Sequence, residues 1–117
     1  MHATRIPLLA LLAVLSVPVL AAGCGDDLGE CPDNSATQQA QGLEVLETKC
    51  QTCHSSKVTG GNRLGAPSDL NFDDDSTVAD EAGEMYGEVE DGSMPPGGGL
   101  SDADKEALRV YLACHAE

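Results

Sequence analysis

Apolar residues recur at helical spacing in three stretches of the chain, and each stretch predicts an α-helix. The first predicted helix runs from Gln38 to Thr52, and its apolar face is formed by Leu43, Leu46, Cys50 and Cys53. Gly42 lies near the start of this helix. Glycine lowers helix stability, so its presence there indicates a close approach of another backbone.

The second and third helices are predicted further along the chain. The second begins near Thr77, with Asp75 or Ser76 as its N-cap, and ends at Asp91-Gly92. Its apolar face contains Val78, Ala82, Met85 and Val89. The third follows a sequence close to a capping box at Ser101 and runs to about Cys114, with Ala107, Leu108, Tyr111 and Leu112 as its apolar stripe. No strand pattern or internal repeat is visible, so the expected fold is all-α.

The first residues have the pattern of a targeting segment. A basic residue, Arg5, precedes an apolar run that ends in Leu20-Ala21-Ala22-Gly23-Cys24. This ending resembles the lipobox of bacterial lipoproteins, in which the cysteine is lipidated after cleavage. We therefore expect a lipoprotein signal peptide over residues 1–23, lipidation of Cys24, a polar tether over 24–41 and a folded domain over 42–117. The alternative is ordinary signal cleavage near Ala22, and either would place the protein outside the cytoplasm, facing the periplasm.

The segment Cys50-Gln51-Thr52-Cys53-His54 has the C-x-x-C-H attachment pattern of c-type haem. Two thiols one helical turn apart can each add to a vinyl group of one porphyrin, and the next residue can bind the iron. The alternatives are a zinc site, a thioredoxin-type pair and a small disulfide. Zinc needs a second ligand pair, and a thioredoxin-type pair lies near a βαβ pattern. The sequence shows neither feature.

A second iron ligand is expected in the loop Ser93-Met94-Pro95-Pro96, followed by three glycines. Methionine before two prolines cannot lie in a helix interior, so the loop can hold the Met94 sulfur at a fixed point opposite His54. Met85 is the competing ligand, although its position on a helical face indicates a core residue. The segment around Pro67 is the candidate for holding the second ring nitrogen of His54, and Leu70 and Phe72 are expected to pack on the porphyrin.

The five cysteines can be assigned by function. Cys24 accounts for the lipid, and Cys50 with Cys53 accounts for the haem. Cys31 and Cys114 are left, and an exported protein usually pairs its spare thiols in a disulfide. The bond would join the start of the folded domain to its last helix.

Composition and charge limit the partners. Aromatic residues make up only 3% of the chain, which fits a core completed by a cofactor. The formal net charge is −14, and signal cleavage would make it one unit more negative by removing Arg5. A surface of this sign repels nucleic acid and favours a partner with a basic docking face. The alternative is that the charge serves solubility alone.

Together these residues resemble the class I, monohaem cytochrome c family over roughly Gly42 to Leu112. The first-helix pattern matches Gly42, Leu46 and Cys50 to His54, and the last-helix pattern matches Leu108-Arg109-Val110-Tyr111-Leu112. Leu46 stands where the family more often has an aromatic residue. The resemblance implies three to four helices wrapped around one covalently bound haem c. It also implies that Gly42 and Leu46 meet Leu108 and Tyr111 where the two helices cross.

The function expected from this resemblance is electron transfer by a carrier or relay domain tethered to a membrane by lipid, with redox proteins as partners. The chain would not itself be an enzyme, although it could be a subunit of an oxidoreductase complex. Two alternatives remain at the level of sequence. One is a haem enzyme or sensor with an open iron position. The other is a haem-free lipoprotein module held together by disulfides.

Overall fold

A computed structural model describes residues 27–116, and these residues form an all-α fold. Three helices follow one another along the chain: α1 (Ala36–Val45), α2 (Asp75–Glu90) and α3 (Asp102–His115). A π-helical turn at Leu46–Cys50 continues α1, and a single 3₁₀ turn lies at Gly60–Arg63. The described part of the chain contains no β-strand, which confirms the predicted fold class. The predicted signal peptide and Cys24 lie outside the described residues.

Helix α1 begins earlier than the sequence predicted. It starts at Ala36, so the predicted tether over 24–41 overlaps the helix, and the folded part of the chain begins before residue 42. Its buried face also differs, because Leu43 is 37% exposed whereas Val45 and Leu46 are buried. The reason is geometric. Gly42 faces α3, and the residues three and four positions later share that face.

Helices α1 and α3 cross at Gly42. A β-carbon at this position would overlap the backbone carbonyl of Ala107 and the Cβ of Tyr111, so the two helices approach more closely than any other side chain allows. Leu46, Leu108 and Tyr111 are buried in the same core cluster beside the crossing. The predicted meeting of the first and last helices is therefore confirmed.

Helix α2 is capped by Asp74, whose side chain accepts a hydrogen bond from the Thr77 N–H at 3.0 Å. The cap lies one residue before Asp75, the earlier of the two predicted caps. The apolar face was predicted correctly, because all four of its residues are buried: Val78, Ala82, Met85 and Val89. This face packs against α3, and α3 also packs against α1, so α3 is central to the helix packing.

Helix α3 begins at the predicted cap, where the Ser101 hydroxyl accepts from the Asp104 N–H at 3.1 Å. All four residues of the predicted stripe are buried, and Val110 and Ala113 are buried beside them. The stripe is wider than predicted because α3 packs against two helices rather than one.

The segment before α1 is attached to α3. Cys31 and Cys114 form a disulfide with a Cα–Cα distance of 4.7 Å. Arg109 donates a hydrogen bond to the Leu28 carbonyl, and Leu28 packs against the core. Leu28 and Cys31 are therefore both bound to the last helix. No helix within residues 27–116 combines the length and apolar character needed to cross a bilayer.

Candidate haem site

The attachment segment begins where α1 loosens into the π-helical turn. The Gln51 N–H donates to the Leu46 carbonyl at 3.0 Å, one residue further back than in an α-helix. The chain then tightens, and the Cys53 and His54 N–H groups both donate to the Cys50 carbonyl. Cys50 and Cys53 are half-buried free thiols that line one cavity. Burial raises the pKa of Cys50 to about 11, so this thiol is protonated at neutral pH.

His54 is buried and held on two sides. Its Nδ1 lies 3.3 Å from the Leu70 carbonyl oxygen, and its ring stacks on Phe72 with the centroids 4.6 Å apart. Within residues 27–116, Nδ1 is the only hydrogen-bonded atom of the ring, and the side chain lines the cavity. Nδ1–H donating to a carbonyl leaves Nε2 as the lone-pair nitrogen, which is the form that binds a metal.

The electrostatics around His54 favour the neutral ring. Burial is the main cause that lowers its pKa, the hydrogen bond to Leu70 opposes that effect, and the positive charge of Arg63 lowers the pKa further. A neutral imidazole is the required state for a ligand to iron.

The carbonyl that holds His54 belongs to Leu70, three residues after Pro67. The Pro67 carbonyl instead accepts a hydrogen bond from Arg63. Pro67, Leu70 and Phe72 all line the cavity. The sequence thus indicated the correct loop for this contact, but the structure assigns it to another residue of that loop.

The chain after His54 is joined to the start of α2. The Phe72 N–H donates to the His54 carbonyl at 2.8 Å. Asp73 accepts from the hydroxyl and N–H of Ser56 and from the Ser55 hydroxyl. The bonds from Ser56, aided by Ser55, hold the pKa of Asp73 at about 2, so this carboxylate is ionised throughout the physiological range. These contacts fix the path of the chain directly after His54.

Arg63 lies at the centre of the loop between His54 and α2, and the sequence analysis did not identify it. The side chain is buried, and its guanidinium donates to the Leu70 carbonyl that also faces His54 Nδ1. The sequence contained one signal, which is a basic residue placed between Gly61 and Gly65 in a chain with 20 acidic and only six basic residues.

The cavity has a volume of about 380 Å³. This value falls within the range of roughly 300–1,000 Å³ typical of ligand and cofactor sites. Its lining brings together the attachment segment, the loop after it, one face of α2 and the Met94 loop. Two thiols, one imidazole with a free nitrogen and an apolar lining fit a covalently attached haem c.

Both candidate methionines line this cavity. Met94 is 37% exposed, and its N–H donates to the Glu88 carbonyl at 2.8 Å, which joins the loop to the end of α2. Met85 is 7% exposed and belongs to the core cluster. Within residues 27–116, no group of three His, Cys, Asp or Glu side chains is arranged to hold a metal ion.

Comparison with known proteins identifies the family. Residues 37–112 match the family model described as cytochrome C oxidase, cbb3-type, subunit III. No curated protein and no solved structure matches the chain. The matched range extends from helix α1 to helix α3 and contains the attachment segment, the cavity and the Met94 loop. The chain therefore belongs to the cbb3-type subunit III family of class I, monohaem c-type cytochromes, which carry a covalently bound haem c and transfer electrons.

Proposed function

We propose that the protein is an electron carrier or relay tethered to a membrane, and that His54 and Met94 are the residues that would bind its haem iron. The observation that carries this proposal is that the thiols of Cys50 and Cys53, His54 and Met94 all line one cavity. The bound haem supplies an iron that gains and loses one electron. Two protein ligands leave no position for a substrate, which suits a carrier rather than an enzyme.

The protein residues contribute attachment, orientation and exclusion of water. Cys50 and Cys53 provide the covalent link, and the Leu70 carbonyl with the Phe72 ring fixes the plane of His54. The disulfide and the helix crossing at Gly42 keep the two ends of the fold together. A site held this firmly changes little between oxidation states, and a small structural change favours rapid electron transfer.

Replacing Met94 with alanine should lower the reduction potential and open the iron to added ligands. The physical reason is that thioether sulfur favours ferrous iron. Axial ligands vary haem potentials over about 0.8 V, so we expect a fall on the order of 0.1 V or more. Redox titration measures the potential, and titration with cyanide or imidazole followed by absorption measures the open position.

The matched control is Met85→Leu, which removes the competing sulfur while nearly conserving core volume. This variant should keep the potential and the closed iron site. If Met85→Leu opens the iron to added ligands and Met94→Ala does not, the second iron ligand is Met85. A wild-type protein that already binds cyanide rapidly would instead favour the enzyme or sensor alternative.

The partner is proposed to be a redox protein with a basic docking face. Three acidic residues of α2 line the cavity: Glu81, Glu84 and Glu88. The net charge of the whole chain, −14, has the same sign as these three glutamates. Both the long-range field and the charges beside the cavity therefore favour a partner with a basic surface. The family description names an oxidase subunit, and a relay domain within an oxidoreductase complex would perform the same one-electron function.

The lipid tether is proposed from the sequence pattern that ends at Cys24. Replacing Cys24 with serine should move the protein from the membrane fraction to the soluble fraction, because serine cannot form the thioether that carries the lipid. Immunoblotting of fractionated cells measures the change. Cys31→Ser is the control, because it alters a cysteine outside the lipobox and should leave the protein with the membrane. Unchanged fractionation of the Cys24 variant would contradict the tether.

A further inference from the structure

Arg63 carries a buried positive charge that is not paired with a carboxylate in the described part of the chain. The side chain is 7% exposed. The five N–H groups of its guanidinium reach six acceptors because Nη1 contacts three of them; five are backbone carbonyls and one is the Asn71 side chain. The one ion pair within residues 27–116 joins Arg109 to Glu106 instead. Asp69 lies within this loop but makes no ion pair with Arg63, and Asp73, just after the loop, takes its hydrogen bonds from Ser55 and Ser56.

The hydrogen bonds gather the whole loop around one side chain. The accepting oxygens belong to Ser55, Val58, Ala66, Pro67, Leu70 and Asn71. Burying an arginine is costly unless its donors are satisfied, and here the planar group has a partner in every direction. A guanidinium group is a permanently charged cation in proteins. The positive charge is therefore a permanent part of the loop.

This charge is connected to His54 through one shared carbonyl group. The Leu70 carbonyl oxygen is 3.1 Å from Arg63 Nη2 and 3.3 Å from His54 Nδ1. Arg63 Nη2 and His54 Nδ1 therefore lie no further apart than the sum of these two distances. Both groups line the same cavity.

We propose that Arg63 is a positioning residue for His54 and that its buried charge raises the reduction potential of the iron. The guanidinium fixes the Leu70 carbonyl and thus the ring plane of His54. Its positive charge favours the ferrous state, which has one positive charge fewer than the ferric state. This inference rests on the proposed role of His54 as an iron ligand.

The test compares two deletions of the same unit of charge. Arg63→Gln removes the buried charge, and Lys57→Gln removes an exposed one from the surface of the same loop. We expect Arg63→Gln to lower the equilibrium constant for reduction about tenfold, which is 59 mV for a one-electron couple. The effect should persist at high salt, since buried charges are little screened. Lys57→Gln should change the constant less than twofold, and that change should disappear with salt.

Arg63→Lys separates the charge from the hydrogen bonds. Lysine keeps the charge but cannot reproduce the planar set of donors. The holoprotein should keep its potential within a twofold change in the reduction constant, while amide exchange in residues 55–71 becomes faster. A tenfold fall in this variant, or no fall in Arg63→Gln, would overturn the role of the charge. If Arg63→Gln yields no holoprotein, Arg63→Ala takes its place as the charge deletion, because water in the vacated space can satisfy the freed carbonyls. An unchanged potential in that variant would overturn the role of the charge.

The same experiments keep this inference apart from the proposed function. A wild-type protein whose spectra show histidine and methionine ligation supports the proposed function whatever the Arg63 variants do. An unchanged potential in Arg63→Gln would then remove only the role of Arg63. Wild-type spectra without histidine ligation would remove both.

Discussion

Replacing His54 with alanine should leave almost no stable holoprotein, the largest effect expected from any single change in the chain. The His54 side chain lines the cavity. Its Nδ1 is hydrogen-bonded to the Leu70 carbonyl, which leaves Nε2 free to bind the iron. Alanine removes the ligand and also the ring that stacks on Phe72. Haem content per polypeptide, measured after expression with a c-type maturation system, gives the result directly.

His115→Ala is the matched control for this prediction. His115 is the exposed last residue of α3, and its ring packs at a tilt against Tyr111 and does not line the cavity. This variant should retain the haem content of the wild type. Normal haem content and normal spectra in His54→Ala would rule out His54 as the iron ligand.

Replacing Gly42 with alanine should destabilise the folded protein by about 2 kcal/mol or more. Alanine gains about 1 kcal/mol of helix propensity over glycine. Overpacking costs roughly 1–3 kcal/mol and more where the obstacle cannot move. Here the new methyl group would overlap the Ala107 carbonyl, which belongs to the backbone of α3 and cannot rotate away. The steric cost therefore exceeds the gain, and denaturant unfolding should show a lower midpoint.

Gly61→Ala provides the comparison at a glycine without neighbours. A β-carbon on Gly61 meets no atom within 4 Å, and its φ lies outside the left-handed region. The substitution should be neutral or stabilising by up to about 1 kcal/mol through the unfolded state. Equal midpoints for Gly42→Ala and the wild type would contradict the close crossing of α1 and α3.

The apolar faces of helices α2 and α3 could be predicted because their apolar positions repeat with the helical period, and every predicted position is buried. Val110 and Ala113 were missed because they pack on a second side of α3. Helix α1 was harder. Its contact with α3 is centred on Gly42, which adds nothing to a hydrophobic pattern, so the sequence placed Leu43 inward although it is 37% exposed. The earlier start of α1 was also hidden, because residues 36–41 carry few apolar side chains.

The cofactor segment could be predicted because C-x-x-C-H combines three chemically distinctive residues at fixed spacing. The residues that hold His54 in place could not be predicted. Leu70 holds His54 through its backbone carbonyl, and any residue has a carbonyl to offer. Arg63 acts through a loop conformation that forms only in the folded chain, so its buried charge has no local signal beyond the residue itself.

The most direct test of the account is whether haem is bound covalently to this polypeptide. The protein should be produced with a c-type maturation system, denatured, and extracted with acidified organic solvent before a pyridine haemochrome spectrum is recorded. We predict that the pigment stays with the chain and has the spectrum of a haem joined through two thioethers. A folded but colourless protein, or a haem that leaves with the solvent, would contradict the account.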